Sequence, residues 1–261
     1  MVIISESPIP AVLALQIGRP LEKTAKDARY ASTLGKGLII LRAFTPSDGA
    51  LGNREISRRT GFPSATVSRL TYTLAQHGFL IQQHPSEAFK LGPAAIAVGY
   101  TAREGFSFFQ QADPIMQDLA EQTSTLVAVC VQDESDAIMA RIWRPTRRPS
   151  IWLSEGHRLP LDNSAPGRAL LASRPVSDTD SDAIKLDRQT LIARGFVTSI
   201  GGWNREINAC ATPFSPDPMG LPFAFLCGAL GESLGEPRLL NEVGPALLSS
   251  VTRLKAAMGL A

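Results

Sequence analysis

The chain has 261 residues, 44% of them hydrophobic, and a formal charge of only +2 at pH 7. That length and apolar content suit two ordinary folded domains or one large one and exclude a disordered chain; the near-neutral balance excludes a polycation, so any affinity for nucleic acid must come from a local patch. The three cysteines, Cys130, Cys210 and Cys227, stand far apart in apolar runs, which suits reduced thiols in a cytoplasmic core and provides neither a disulfide framework nor a metal spacing.

Residues 1–30 lack a basic segment ahead of their short apolar stretch and read as a loosely ordered extension rather than a signal peptide. No apolar run approaches the length that spans a bilayer, so no membrane is expected as a partner. From Thr33 to Phe44 the residues Leu34, Leu38, Leu41 and Phe44 recur at helical spacing, with Pro46 after them. GNREISRRTG (52–61) predicts a short second helix with Ile56 inward and an end at Gly61. TGFPSATVSRLTYTLAQHGFL (60–80) predicts a third, in which Pro63 suits the first turn because its φ is already helical, and Gly78 suits the exit. Val67, Leu70 and Leu74 form its apolar stripe and leave Ala65, Thr66, Ser68, Arg69, Tyr72 and Thr73 on the other faces. Two short helices around a Gly-containing turn make a helix-turn-helix pattern. FLIQQHPSEAFKLG then reads as two short strands around a turn at Pro85 and Ser86, a wing. Residues 31–92 thus predict a winged helix-turn-helix domain, and the Ala-rich 93–105 a connecting helix.

Charge is concentrated in that first domain. Lys36, Arg42, Arg54, Arg58, Arg59, Arg69 and Lys90 stand against Asp48, Glu55 and Glu87, a net of +4. Small, hydrogen-bonding and guanidinium side chains near a helix start are what a major groove admits and reads. Ser64 and Thr66 can donate to a phosphate or a base edge, Ala65 and Ser68 leave room for close approach, and Arg69 can reach a guanine with two hydrogen bonds. Arg58 and Arg59 read either as phosphate clamps or as solvated charges, and Lys90 on the wing equally as a backbone contact or a surface charge.

From residue 106 the pattern changes. A helix over 107–124 precedes strand-like LVAVCVQ (126–132) and AIMARIW (137–143) around the acidic turn DESD. Helices follow at 166–173 and 183–194, strand-like FVTSI, INACATPF and LPFAFLCGAL come next, and a helix from Pro237 to Met258 closes the chain. Strands flanked by helices at both ends predict an α+β sheet covered on one side. RIWRPTRRP (141–149) interleaves Trp143 with arginines as a nucleic-acid patch can, and reads first as a strand leading into an exposed loop. His77, His84 and His157 have no companion ligand at a metal spacing, so no metal is expected.

TLGKGLIILRAF, EISRRTGFPSATVSRLTYTL and FKLGP in the first domain, with RLPLDNSAPGRALLA (158–172), IARGFVTS (192–199) and the final strand and helix in the second, resemble in order and spacing the isocitrate lyase regulator (IclR) family of bacterial transcription factors. The resemblance runs from about Thr33 to the C-terminus. It implies a DNA-binding domain joined by a helix to a GAF-like effector domain (106–261), assembled as dimers or dimers of dimers on palindromic half-sites of a double-stranded operator. It further implies small carboxylates or aromatics as effectors, no cofactor, no catalytic activity and a cytoplasmic location. Gly52 stands where the family usually has Ser or Thr, Asp162 replaces a frequent His, and Pro166 removes a backbone N–H near a helix start.

Within that frame an effector site is expected between the SAPGRALLA helix start and GGWNREINACATPF. Ser164, Ala165 and Gly167 stand at a helix end that either attracts a carboxylate or is simply capped. Ile151, Leu153 and Leu159 supply an apolar wall, and Trp203 is either a lid or a residue packed on the sheet. Thr212 and Cys227 are core candidates first and pocket liners second. The Leu34/Leu38/Leu41 stripe and the connector offer apolar surface for pairing. Two rivals remain: an enzyme with Cys210 or Cys227 as nucleophile, for which neither base nor helix start stands nearby in sequence, and a regulator whose effector pocket has decayed.

Overall fold

The computed structural model describes residues 29–82, 88–217 and 220–260; the expected N-terminal extension up to residue 28, His84 and the wing turn at Pro85 and Ser86 lie outside them. The chain divides into two compact units, with the boundary between Ser107 and Phe108.

The first unit contains α1 (Ser32–Arg42), α2 (Asn53–Thr60), α3 (Ser64–Gln76), β1 (Leu80–Ile81), β2 (Lys90–Leu91) and α4 (Pro93–Glu104). Gly61 adopts φ of +72°, left-handed backbone that ends α2 and turns the chain into α3. Ile40, Leu51, Ile56, Val67, Leu70, Leu80 and Phe89 form one small core, so α2 and α3 are held by the stripes their spacing predicts. β1 and β2 pair antiparallel, Leu80 opposite Leu91, and Leu51 bridges Phe89 at the base of the wing. On α1 the core residue is Ile40, whereas Leu34 and Leu38 face outward, 64% and 52% exposed. The predicted α1 stripe is therefore divided: Leu41 and Phe44 pack against the core, and Leu34 and Leu38 lie on the outward side.

The second unit is built on one antiparallel sheet. Its elements are α5 (Phe108–Thr123), β3 (Leu126–Asp133), β4 (Asp136–Trp143), β5 (Arg158–Pro160), α6 (Ala165–Ser173), α7 (Asp182–Arg194), β6 (Val197–Ile200), β7 (Ile207–Phe214) and β8 (Phe223–Leu230). A closing helical stretch follows, Glu236–Arg238, a π-type turn at Leu239–Val243, and α8 (Gly244–Ala257). The strands lie in the order β5-β4-β3-β8-β7-β6. Among the described residues no helix is long and apolar enough to cross a membrane.

Both faces of this sheet are covered, which corrects the one-sided expectation. Successive side chains point to opposite faces. Phe223 and Phe225 on β8 and Phe214 on β7 meet Phe108 of α5, with ring centroids 5.0, 6.3 and 5.1 Å away. Ala224 and Leu226, one step out of phase, pack with Ala165, Ala169 and Leu170 of α6. The side chains of Leu126, Val127, Ala128, Val129 and Cys130 are all sealed from solvent because β3 lies in the middle of this sandwich. Continuous apolar runs such as LVAVC are the mark of a strand buried on both sides.

Gly167 shows how close α6 comes. A Cβ at that position would lie 2.4 Å from Leu161 Cα, so the first turn of α6 rests directly on the backbone that leaves β5. Arg168 then ties the helix down, donating through Nε to Asp187 of α7 at 2.8 Å and through Nη1 to the Thr198 carbonyl of β6 at 2.7 Å. Gly167→Ala is expected to destabilise the protein by about 1–3 kcal/mol through overpacking, read as a lower urea midpoint with an unchanged slope. A neutral substitution would place the helix farther from Leu161 than described.

Candidate functional site

Two places carry candidate chemistry, one in each unit. On α3, Ser64, Ala65, Ser68 and Arg69 are exposed and Thr66 is half-buried. Tyr72, one turn beyond Ser68, is 65% exposed and extends the same face. The helix begins directly after Pro63 with no side-chain cap, so its first amides point outward without a partner on the helix. Thr71 looks the other way: buried, it donates to Asn53 Oδ1 at 3.1 Å and fastens α3 to α2. The Arg69 guanidinium has no ion pair among the described residues, and Lys90 is exposed on β2.

Arg58 and Arg59 behave differently from one another. Arg58 is largely exposed and pairs with Glu55, Nη2 to Oε1 at 2.6 Å. Arg59 turns inward over the end of α1: it donates to both oxygens of Asp48 (2.7 and 2.8 Å), to Glu55 (2.7 Å) and to the Ala43 carbonyl (2.9 Å). Four of its five N–H groups are thus used within the unit, which leaves one for a phosphate. Charge counting from sequence missed it, since Asp48 lies eleven residues away.

The same pairs depress both carboxylates. The Arg59 guanidinium holds Asp48 far below the usual range, and Arg58 with Arg59 hold Glu55 at about 2 rather than 4.5. A carboxylate with a lowered folded-state pKa adds stability above its ordinary value and loses it as pH falls through the lowered one. Asp48→Asn should therefore reduce the melting temperature at neutral pH. The gap to wild type should close progressively over the window that opens at about pH 3.8, the ordinary value for Asp48, and runs down to its lowered one. A gap constant across that window would remove the ion pair from the account of how α1 and α2 are joined.

In the second unit a recess of about 390 Å³, its open mouth included, lies between the sheet and the start of α6. Ile151, Leu153, Leu159, Ser164, Ala165 and Trp203 line it, together with Met139, Pro166, Ser199, Ile207, Ala209, Leu226 and Gly228. Three other expected liners lie elsewhere. Gly167 is consumed by its contact with Leu161. Thr212 and Cys227 occupy the opposite face of the sheet: Thr212 alternates with Ala209 and Ala211 and donates to the Gly195 carbonyl at 2.7 Å, and Cys227 lies directly across from Cys210. Strand parity, read from Ala209 and Leu226, is the signal that separates them from the recess.

Ser199 and Asn208 are the informative residues that sequence reasoning passed over. Ser199 Oγ donates to the Asn163 carbonyl at 2.9 Å. Asn208, buried in β7, accepts from the Gly201 amide at 3.0 Å and donates to the Leu234 carbonyl at 2.9 Å, which pins the turn that presents Trp203. His157 meets Trp203 edge-on at 5.5 Å; burial lowers its pKa and leaves its Nε2 without a hydrogen-bond partner among the described residues. Asp162 is exposed and takes no part in the lining. The arginines of the 141–149 run serve the fold first, Arg141 paired with Asp113 and Arg144 stacked 5.0 Å over Trp152.

The family model of the IclR helix-turn-helix domain matches residues 33–84, and that of the bacterial transcriptional regulator IclR C-terminal domain matches residues 102–200. The chain belongs to the IclR family of transcriptional regulators. It is 24% identical over 265 residues to the HTH-type transcriptional regulator TsaQ1/TsaQ2 of Comamonas testosteroni, covering 94% of this chain and 95% of that one. It is 30% identical over 169 residues to the transcriptional repressor IclR of Escherichia coli, covering 64% of this chain and 60% of that one. The crystal structure of an IclR family regulator from Brucella abortus superposes with a TM-score of 0.75 at 29% identity, over 89% of this chain and 95% of that one. The chain is accordingly a DNA-binding transcriptional regulator, and α3 lies within its matched helix-turn-helix domain.

Proposed function

We propose that this IclR-family protein is a ligand-responsive, sequence-specific regulator of a catabolic operon, acting in the cytoplasm without a catalytic step, with the recess beside α6 as its effector site. The observation that carries the reading is the recess itself, an apolar concavity with few polar groups at the end of a helix, which is the form of a small-molecule site. Effector binding can act on DNA affinity only if the ligand prefers one of the DNA-competent and incompetent states. The thiols give no support to an enzyme: burial pushes Cys130 and Cys227 up, away from the thiolate a nucleophile needs.

On α3, Arg69 is assigned to base readout and the Ser64 and Thr66 end of the helix to phosphate, with Ser68 and Tyr72 completing the face. Selection from a random duplex pool with the full-length protein should enrich a palindrome. On that site Arg69→Ala should lose roughly 1–3 kcal/mol and relax preference at one base pair per half-site. Equal loss on selected and random duplexes would refute readout by Arg69, and failure to enrich any sequence would refute sequence-specific binding.

One such helix reads only a few base pairs, so useful discrimination needs at least two copies. α4 buries none of its twelve residues and exposes Ile96, Val98 and Tyr100, and α1 exposes Leu34 and Leu38. Apolar surface of that kind on a folded unit fits a second copy of the same chain. Light scattering should give a dimer or dimer of dimers, and Leu34→Asp with Leu38→Asp should shift it toward the monomer and weaken operator binding. A monomeric wild type with full operator affinity would overturn the assembly.

A further inference from the structure

We infer that the effector of this protein is an uncharged small molecule, aromatic or alicyclic, carrying at most a hydroxyl group into the recess. The inference rests on the reading of the recess as the effector site.

The start of α6 would ordinarily be the place for a carboxylate, because its first amides point outward and carry the positive end of the helix dipole. Here those amides are already spent or missing. Ser164 caps the helix, its Oγ accepting from the Gly167 amide at 3.2 Å. Pro166 has no N–H. The Arg168 amide bonds to the Ser164 carbonyl at 2.9 Å. Only the Ala165 amide of the first turn is left, one donor against the two oxygens of a carboxylate.

Beyond the indole N–H of Trp203, no side chain of the lining has a donor to spare. Ser164 Oγ donates to the Pro160 carbonyl at 2.5 Å, and Ser199 Oγ donates to the Asn163 carbonyl, so both hydroxyl hydrogens are occupied. What those two oxygens retain is acceptor capacity, which suits a ligand O–H and opposes an anion. No charged side chain lines the recess among the described residues. Of the arginines near the lining along the chain, Arg158 is held by Asp133 and Asp136 and Arg168 by Asp187, and Arg205 is exposed, two residues beyond Trp203 and outside the lining. His157 beside Trp203 is kept neutral by burial. An ionised carboxylate moved into this apolar space would lose its hydration and gain a single amide and at most the Trp203 indole N–H, whereas a neutral ring gains contact with Ile151, Leu153 and Trp203 at no such cost.

The test uses matched probes on the full-length protein at neutral pH: benzyl alcohol against benzoate, and cyclohexanol against cyclohexanecarboxylate, by calorimetry and Trp fluorescence. The neutral member of each pair should bind about tenfold or more tightly than its acid. Gly228→Leu should abolish that binding, because a Cβ at Gly228 meets nothing nearer than 3.6 Å and the longer side chain grows into the recess; Ala209→Leu serves if the first variant loses its native circular dichroism. Pro166→Ala, which restores an amide at the helix start, should narrow the gap by strengthening the acids, and an unchanged gap would count against the missing amide as its cause. Benzoate binding as tight as benzyl alcohol overturns the inference. If the filled recess loses that benzoate binding, the effector-site reading survives alone. If it does not, or if no probe binds at all, both fall.

Discussion

Side-chain alternation along β7 and β8 decides where empty space can exist in the second unit. One face of these strands carries Phe214, Phe223 and Phe225, which interlock with Phe108 and leave no gap; the other carries Ala209, Ala211, Ala224 and Gly228, which cannot fill the distance to α6. A packed aromatic face gives the sheet its rigidity, and the small residues on the reverse give it a concavity. The two are the same constraint seen from opposite sides. A helix laid over small residues packs fully only where it can approach closely, as α6 does at Gly167, and leaves a recess where Ser164, Ala165 and Pro166 lift away toward Trp203.

That geometry fixes the electrostatics as well. The close approach at Gly167 puts the start of α6 against Leu161, and Ser164 satisfies the Gly167 amide inside the fold rather than leaving it for a guest. A helix end so closed stabilises the protein by about 1 kcal/mol as a cap. The same amide is then unavailable for binding. Stability of the helix start and affinity for an anion compete here for one donor, and Ser164 and Pro166 settle that competition in favour of the fold.

The helices and strands were legible because each follows one periodicity. Val67, Leu70 and Ile56 announced the core of the helix-turn-helix, and LVAVC and FAFLC announced strands. What failed needed knowledge of phase or of distant partners. The apolar runs were read as strands without asking what both faces touched, so the second layer of helices was missed. Small size alone offers Thr212 and Cys227 as liners, although Thr212 differs in strand parity from Ala209, which does line the recess, and Cys227 lies across from Cys210 on the same face as Thr212. Arg59 was grouped with Arg58 by adjacency, although a helix turns neighbouring residues by 100° and only Arg59 faces Asp48. On α1 the spacing groups Leu34 and Leu38 with Leu41, although it is Ile40, with Leu41 and Phe44 packed beside it, that meets the core.

The internal pairing of Arg58 and Arg59 bears on how the first unit discriminates among DNA sequences. Counterion release makes non-specific affinity grow with the number of phosphates a protein neutralises. With Glu55 and Asp48 opposite these two arginines, the surplus of +4 rests on the other cations of the domain, Lys36, Arg42, Arg54, Arg69 and Lys90, against Glu87. Non-specific attraction then falls to those cations, whereas the readout proposed for Arg69 is a contact made only on the right sequence. One helix reads only a few base pairs, so under the pairing proposed for the bare apolar faces of α1 and α4, affinity and symmetry would come together.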